Sequence, residues 1–398
     1  MNIQQNKNKK IGIINFFYSN SNYGAVLQAA ALEKLIKSAG YEAEHINFVP
    51  QNNNIGFFKI ICNLFVKFIH NEIGFQDIIK KIKTKKDKDE ILIYKDTSNI
   101  FDSFRKKWIT ISDTAYNSSK DIAKKKLNYI AYVVGSDQVW RPSYGRNGKE
   151  VHFLNFANEK SLKIAYAASF GSDHWESINE KRFTENIKKL INRFDFISVR
   201  ESSGVDICKA IFNVDAKHVL DPTLLIGRNF FDLIIENDKN KEVKPEIVYY
   251  LLDINPVFYN ALTKYASKKR STIKNIYYQS EIVKKNIVER SYYSVPSWLH
   301  HIRESELVIT DSYHCVCISI LFNKQFYCRY TESRGNERLL SLLRQLKLED
   351  RFIKEDDILS VNNIFPEHQI NYNAVSKRIE DLRKCSMSFL AKSLRSLE

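Results

Sequence analysis

One histidine lies at a position that suits proton transfer. His314 is the last residue of the segment Thr-Asp-Ser-Tyr-His at residues 310–314. This segment joins the end of a predicted strand to the start of a predicted helix. The imidazole would lie in the first turn of that helix and face a cleft between two domains. Because imidazole titrates near neutral pH, it suits proton transfer. Among the nine histidines we interpret His314 as the best-placed catalytic candidate, against the alternative of a structural histidine.

A carboxylate and an arginine also follow predicted strands directly. Asp137 follows the strand predicted at residues 129–134, and Arg200 follows the one predicted at residues 194–199. The carboxyl ends of parallel strands meet at one edge of a sheet, where ligands bind. A carboxylate there can act as a base toward a sugar hydroxyl, and a guanidinium can hold a carboxylate or phosphate. The alternatives are that Asp137 caps the next segment and that Arg200 pairs with Glu201 at the surface.

Two further polar clusters could bind an anion. Residues 20–24 join the first predicted strand to the first predicted helix, where backbone N–H groups are free unless a side chain caps the helix. Positive charge also concentrates after a later strand, at Arg329, Arg334 and Arg338. This second cluster could clamp a phosphate or carboxylate, or it could be surface charge.

The elements that must position these residues alternate between strand and helix. Residues 11–17 form a predicted buried strand, residues 24–39 a helix and residues 43–48 a second strand. This order is typical of a parallel α/β sheet. The charged, apolar-poor residues 237–244 separate this series from a second one that begins at residue 247. The pattern therefore predicts an α/β domain on each side of that boundary.

The predicted limits are residues 1–240 for the N-terminal domain, with a helical insertion near residues 50–110, and residues 245–372 for the C-terminal domain. Residues 373–398 carry apolar side chains at three- and four-residue steps. We predict that they form an amphipathic helix that docks on one of the two domains.

Composition excludes several classes of protein. The 398 residues are 44% hydrophobic and 27% charged, which argues against a disordered chain and against a polytopic membrane protein. The six cysteines form no C-x-x-C pair, so we expect reduced thiols and no metal site. The sequence shows no signal-peptide pattern and no run of about 20 apolar residues. We therefore expect a cytoplasmic protein.

The net charge of +15 would attract nucleic acid, anionic lipid headgroups or phosphorylated small molecules. Residues 80–88 hold the densest lysine run, but no zinc-finger spacing or RNA-recognition motif accompanies it, so we predict no specific nucleic-acid partner. Residues 55–70 are apolar nearly all round. They are either a buried core helix or an interfacial helix that contacts an anionic membrane.

Six short motifs together give the sequence a resemblance to a known family. They are residues 22–28, 134–140, 163–171, 198–201, 220–225 and 310–314. In this order they resemble the motifs of the polysaccharide pyruvyl transferase family. The resemblance implies two Rossmann-like α/β domains facing a cleft, as in GT-B glycosyltransferases. It also implies phosphoenolpyruvate as the donor, on the C-terminal side, and a pair of sugar hydroxyls as the acceptor, on the N-terminal side.

The resemblance further implies roles for individual residues. Arg200 and His314 match positions that the family associates with donor binding and catalysis. Some members carry an arginine two residues before the histidine, where this chain has Ser312. We therefore expect Arg334 and Arg338 to complete the donor site beside Ser312.

The predicted chemistry is addition of a sugar hydroxyl to the enol double bond of the donor. His314 would deliver a proton to C3, and Asp137 would take the proton of the hydroxyl. The predicted acceptor contacts are Asn22, Tyr23, Gln138 and Trp140. The reaction requires no metal and no cofactor besides phosphoenolpyruvate as co-substrate.

We therefore expect a pyruvyl transferase that forms a ketal on a sugar residue of a bacterial surface polysaccharide precursor. The acceptor would be an oligosaccharide or a lipid-linked sugar, and the enzyme would contact the inner face of the cytoplasmic membrane peripherally. The alternatives are a GT-B glycosyltransferase that uses a nucleotide sugar and a non-enzymatic anion or nucleic-acid binder.

Overall fold

The computed structural model describes most of the chain. The described residues are 10–50, 91–95, 97–125, 127–144, 148–236, 247–253, 255–284, 287–331, 335–354, 365 and 368–397. The predicted apolar segment at residues 55–70, the lysine run at residues 80–88 and Arg334 lie outside them.

Strands and helices alternate over the described residues. The strands are β1 (Lys10–Ile14), β2 (Glu42–His45), β3 (Ile91–Lys95), β4 (Ala131–Val134), β5 (Leu162–Ala168), β6 (Phe196–Val199), β7 (Lys217–His218), β8 (Ile247–Tyr250), β9 (Ile273–Asn275), β10 (Ser280–Lys284), β11 (Ile287–Ser291), β12 (Leu307–Thr310), β13 (Gln325–Arg329) and β14 (Phe352–Ile353). The helices are α1 (Tyr23–Ser38), α2 (Thr97–Trp108), α3 (Ser119–Lys124), α4 (Lys181–Ile191), α5 (Ser202–Ile207), α6 (Pro222–Ile226), α7 (Arg228–Glu236), α8 (Pro256–Lys269), α9 (Val295–Glu304), α10 (Tyr313–Leu321), α11 (Glu337–Leu346) and α12 (Tyr372–Arg395).

Two parallel sheets organise the molecule. The N-terminal sheet has six strands in the order β2-β1-β4-β5-β6-β7, and all neighbours pair in parallel. The C-terminal sheet has five strands in the order β14-β13-β12-β8-β9, again parallel throughout. The central strands are continuous apolar runs, as a sheet covered by helices on both faces requires. The prediction of two α/β domains is confirmed.

A small third sheet connects the two halves of the sequence. Strand β3 pairs in parallel with β11, which also pairs antiparallel with β10. The predicted insertion near residues 50–110 was expected to be helical, yet its described part contains this strand as well as α2. Arg105 in α2 donates hydrogen bonds to the carbonyls of Phe17 and Ser19 and to Asn20 Oδ1. The insertion therefore fixes the turn between β1 and α1.

The two domains share one hydrophobic core. The N-terminal turn of α1 enters it through Tyr23, whose ring stacks on Trp298 of α9 at 4.8 Å between ring centroids. The Tyr23 hydroxyl donates to the carbonyl of Tyr293 at 2.9 Å. Because these contacts cross from the first domain to the second, they fix how the two sheets face each other.

The C-terminal helix α12 docks on both domains rather than on one. Val375 and Ile379 join the shared core, while Leu390 and Leu394 pack under the N-terminal sheet. The Ser386 hydroxyl accepts from the backbone N–H of Leu220 at 2.9 Å. The amphipathic pattern predicted the helix, and the two apolar clusters explain its length. Among the described helices, none is both long and apolar enough to cross a membrane.

Gly335 of the C-terminal domain lies against the backbone of Gly171 in the N-terminal domain. Gly335 has φ of +74°, and a Cβ atom there would lie 1.5 Å from the carbonyl oxygen of Gly171. Gly40 also has a positive φ of +93°, but a Cβ there would meet nothing within 4 Å.

We predict that Gly335→Ala lowers the free energy of unfolding by about 2–4 kcal/mol, because backbone atoms of both domains must move apart. Gly40→Ala is the matched control, since it adds only the strain of a positive φ. Thermal and urea unfolding of the two variants measure the difference. Equal losses of stability would show that the Gly335 contact does not hold the domains together.

Candidate active site

A buried arginine lies at the centre of the site. Arg200 follows β6, and its side chain is completely buried. Its Nη1 donates to Asp221 Oδ2 at 2.9 Å, and its Nη2 donates to Asp137 Oδ1 at 3.0 Å. Both ends of the guanidinium fork are therefore occupied by carboxylates of the protein itself. The pairing with Glu201 that the sequence left open is not a surface pairing, because both side chains are buried, with Arg200 Nε 4.0 Å from Glu201 Oε2.

His314 reaches this arginine from the second domain. Its Nε2 lies 3.3 Å from Arg200 Nη1 and 3.5 Å from Asp221 Oδ2. Ser136 completes the contacts, because its hydroxyl donates to the same oxygen of Asp221 at 2.5 Å. When His314 is protonated, the carboxylate of Asp221 can accept a hydrogen bond from Nε2–H and hold the imidazolium in place.

The ends of four strands bring these groups together. Asp137, Arg200 and Asp221 follow β4, β6 and β7 at the carboxyl edge of the N-terminal sheet. His314 follows β12 of the C-terminal sheet. Asp137 adopts φ of +79°, in the left-handed region that non-glycine residues rarely occupy. The structure therefore places Asp137, Arg200 and His314 together, as the strand-end argument predicted.

Helix α1 fixes the other side of the imidazole. A Cβ atom on Gly24 would lie 2.2 Å from His314 Nδ1, so only glycine leaves room for the ring. Asn22 caps the same helix, with its Oδ1 accepting from the backbone N–H of Ala25 at 3.2 Å. The helix-cap interpretation of this turn is therefore correct, and the turn also packs against the candidate catalytic histidine.

The electrostatic surroundings keep both carboxylates ionised. Burial alone would raise the pKa of Asp137, but Arg200, His314 and Arg338 outweigh it and lower that pKa. Burial would likewise raise the pKa of Asp221, and His314 and Arg200 lower it well below its usual range. At neutral pH the site therefore holds two carboxylate anions against the Arg200 cation.

A second arginine, Arg338 in α11, lies next to this cluster. Its guanidinium carbon is 5.9 Å from the centre of the Tyr313 ring, and that of Arg200 is 4.4 Å from the same ring. Burial and the neighbouring Arg200 cation lower the pKa of Arg338 to about 10. It therefore remains a cation at neutral pH, close to the cluster but outside the Arg200 ion pairs.

Other residues predicted for the site have different surroundings. Gln138 is buried, and its Oε1 accepts from Arg141 Nη1 at 2.9 Å. Ser312 precedes α10, and its backbone N–H donates to Thr310 Oγ1 at 3.0 Å. Ser312 is also buried and lies two residues before His314.

Two of the predicted acceptor contacts do not fit the structure. The Trp140 indole is buried and donates to the carbonyl of His152 at 3.0 Å. The Tyr23 ring is buried in the core between the domains. Neither side chain has surface for an acceptor to touch, so we leave both out of the proposed acceptor site.

No role was predicted for Asp221, although it lies within the motif at residues 220–225 and directly follows the apolar run at residues 218–220, which overlaps strand β7. The Asp-Pro pair at residues 221–222 is a further signal, because Asp221 Oδ1 caps α6 by accepting from the backbone N–H of Thr223. In the part of the chain that the structure describes, no group of three or more histidine, cysteine, aspartate or glutamate residues could hold a metal ion.

Comparison with known families assigns the chain. The model of the polysaccharide pyruvyl transferase family matches residues 22–333, well over half of the sequence. The chain belongs to the polysaccharide pyruvyl transferase family. Asp137, Arg200, Asp221 and His314, which together form the Arg200 cluster, all lie within the matched residues, so this pyruvyl transferase family member carries the cluster within its family domain. No curated protein sequence matches the chain.

Solved structures identify the fold of this family member as GT-B. UGT71G1 of Medicago truncatula, solved with UDP-glucose, is 10% identical with a TM-score of 0.51, and the match covers 99% of both chains. UGT89C1 of Arabidopsis thaliana is 9% identical with a TM-score of 0.50, covering 98% of this chain and 99% of that one. At these identities the likeness concerns the fold alone.

We predict that Asp221→Asn lowers the free energy of unfolding at pH 7 by about 3–5 kcal/mol, because it removes one of the two carboxylates that are hydrogen-bonded to the Arg200 guanidinium. Asp215→Asn, at an exposed residue that pairs with Lys209, serves as the matched control and should change stability little. Urea unfolding at pH 7 gives both values. A loss below about 1 kcal/mol for Asp221→Asn would show that Arg200 does not depend on this carboxylate.

Proposed function

We propose that the protein transfers the pyruvyl group of phosphoenolpyruvate to two hydroxyls of a sugar residue and forms a pyruvate ketal. The observation that carries this proposal is the Arg200 cluster, in which an imidazole and two carboxylates meet a buried guanidinium between the two sheets. Membership of the polysaccharide pyruvyl transferase family supports the same reaction class.

The first step of the proposed reaction adds one sugar hydroxyl across the enol double bond. The hydroxyl oxygen bonds to C2 of phosphoenolpyruvate, and C3 gains a proton. His314 supplies that proton, and Asp137 takes the proton of the hydroxyl. Asp221 acts through His314, since its carboxylate lies 3.5 Å from Nε2 and stabilises the protonated ring. In the second step the oxygen of a neighbouring hydroxyl bonds to C2 and the bond from C2 to the phosphate oxygen breaks, which closes the ketal. The phosphate leaves with the proton of that hydroxyl as inorganic hydrogen phosphate.

The donor must bind Arg200, whose guanidinium is already paired with carboxylates of the protein. Both Nη groups of Arg200 bind carboxylates, but Asp137 is 8% exposed whereas Asp221 is completely buried. We propose that a donor oxyanion replaces Asp137 at Nη2 and that Asp221 stays in place. Arg338, and Arg334 beyond the described residues, would then hold the second anionic group of the donor beside Ser312.

This exchange would also activate the base. With the donor bound, Asp137 loses its nearest cation and gains a negative neighbour, and both changes raise the pKa of a carboxylate. Asp137 would therefore become a better proton acceptor only after the donor has bound. The expected kinetic order is donor first and sugar second.

The proposed acceptor is a sugar of a bacterial surface polysaccharide precursor, lipid-linked or as an oligosaccharide, bound beside Gln138 and the turn that Asn22 caps. We propose that the reaction takes place in the cytoplasm and that the protein contacts the anionic inner face of the membrane. Family membership and the net charge of +15 support these assignments.

Incubation with phosphoenolpyruvate and a panel of simple and lipid-linked glycosides tests the reaction, with phosphate release and product mass as readouts. We expect phosphate release that depends on both substrates. His314→Ala should lower turnover by about a hundredfold or more, the usual scale for loss of a general acid. His174→Ala, at an exposed histidine, is the control.

Transfer from UDP-glucose in place of phosphoenolpyruvate would instead support a nucleotide-sugar glycosyltransferase. Near-normal turnover of His314→Ala would contradict the role of the imidazole while leaving the reaction itself in place.

A further inference from the structure

The loop that carries Asp137 also carries an exposed aromatic ring, that of Tyr144. Tyr144 is 38% exposed, and among the aromatic side chains that the structure describes it is the only exposed one. An aromatic ring left in water forgoes the stabilisation that burial would give it. An exposed ring beside a candidate active site is therefore a candidate ligand contact.

The exposed ring of Tyr144 packs against an arginine that is itself hydrogen-bonded. The guanidinium carbon of Arg141 lies 4.5 Å from the centre of the Tyr144 ring. Arg141 is itself fixed, because its Nε donates to Glu176 Oε1 at 2.7 Å and its Nη1 donates to Gln138 Oε1 at 2.9 Å. The other oxygen of Glu176 accepts from the backbone N–H of Ser143 at 3.1 Å. Packing on a hydrogen-bonded arginine restricts the ring, and this restriction lowers the entropy that the ring would lose when a ligand stacks on it.

The same hydrogen bonds join the ring to the Arg200 cluster. The backbone N–H of Gln138 donates to Asp137 Oδ1 at 2.9 Å, the oxygen that also pairs with Arg200. Gln138 then holds Arg141, which holds Tyr144. The ring therefore lies on the loop that carries the proposed base, linked to the cluster through Gln138 and Arg141.

We propose that Tyr144 is a stacking platform for the ring of the acceptor sugar. The face of an aromatic ring carries partial negative charge, and the C–H bonds on one face of a pyranose carry partial positive charge, so the two faces attract each other. Stacking on Tyr144 would orient the sugar hydroxyls toward Asp137. The ligand class is a pyranoside that presents several C–H bonds on one face. This inference rests on the proposed function for the reaction, but binding can be measured without turnover.

Saturation-transfer NMR with methyl glycosides of galactose, glucose and mannose tests the platform directly. In the wild-type protein, saturation of aromatic protons should transfer to the sugar C–H protons of at least one glycoside. Tyr144→Ala should reduce this transfer severalfold, and Tyr144→Phe should keep it because the ring face remains. Ile178→Ala, which removes an exposed apolar side chain elsewhere in the N-terminal domain, should also keep it.

Steady-state kinetics provide the second readout. We expect Tyr144→Ala to raise the KM for the acceptor by about tenfold while the KM for phosphoenolpyruvate stays within about twofold, the scale of one lost aromatic contact. Undiminished transfer in Tyr144→Ala, or no transfer to any glycoside in the wild type, would overturn the platform. Absence of phosphoenolpyruvate turnover in every protein would overturn the proposed function instead, and the NMR result would still decide the platform.

Discussion

The arrangement of the site depends on one buried cation. Removing a guanidinium from water costs several kcal/mol unless well-placed anions compensate it. Arg200 has this compensation only because β4 and β7 end where Asp137 and Asp221 can both reach it. The register of the N-terminal sheet is therefore tied to the chemistry of the site. The contact to His314 extends the same constraint to the C-terminal domain.

Packing between the domains supports this electrostatic centre. Gly24 lets the first turn of α1 lie against His314, and Tyr23 anchors that turn by stacking on Trp298. Helix α12 then joins both domains on another side of the molecule. These contacts hold the imidazole near Arg200. They do not include the ion pairs of Arg200 that a substrate would displace. Asp137 is the least buried partner of Arg200 in the cluster, so it is the group that a substrate can displace at the lowest cost.

The strand-end argument located much of the site because it depends on topology alone. Asp137, Arg200 and His314 each follow an apolar run long enough to read as a strand, and parallel strands bring their carboxyl ends together. Asp221 follows the short strand β7 and lies within the motif at residues 220–225, so the same strand-end argument applies to it, but no role was predicted for it. Tyr23 and Trp140 were misplaced because sequence does not show whether an aromatic side chain after a strand turns inward or outward. The pairing of β3 with β11 joins segments nearly two hundred residues apart, and no local pattern encodes such a contact.

The central claim is that the donor takes the place of Asp137 on Arg200. A crystal structure of the protein with phosphoenolpyruvate bound measures this directly. We expect a carboxylate or phosphate oxygen of the donor within hydrogen-bond distance of Arg200 Nη2. Asp137 should be displaced from Nη2, and Asp221 should still be bound to Nη1. A donor bound elsewhere, with Asp137 Oδ1 still 3.0 Å from Nη2, would contradict it.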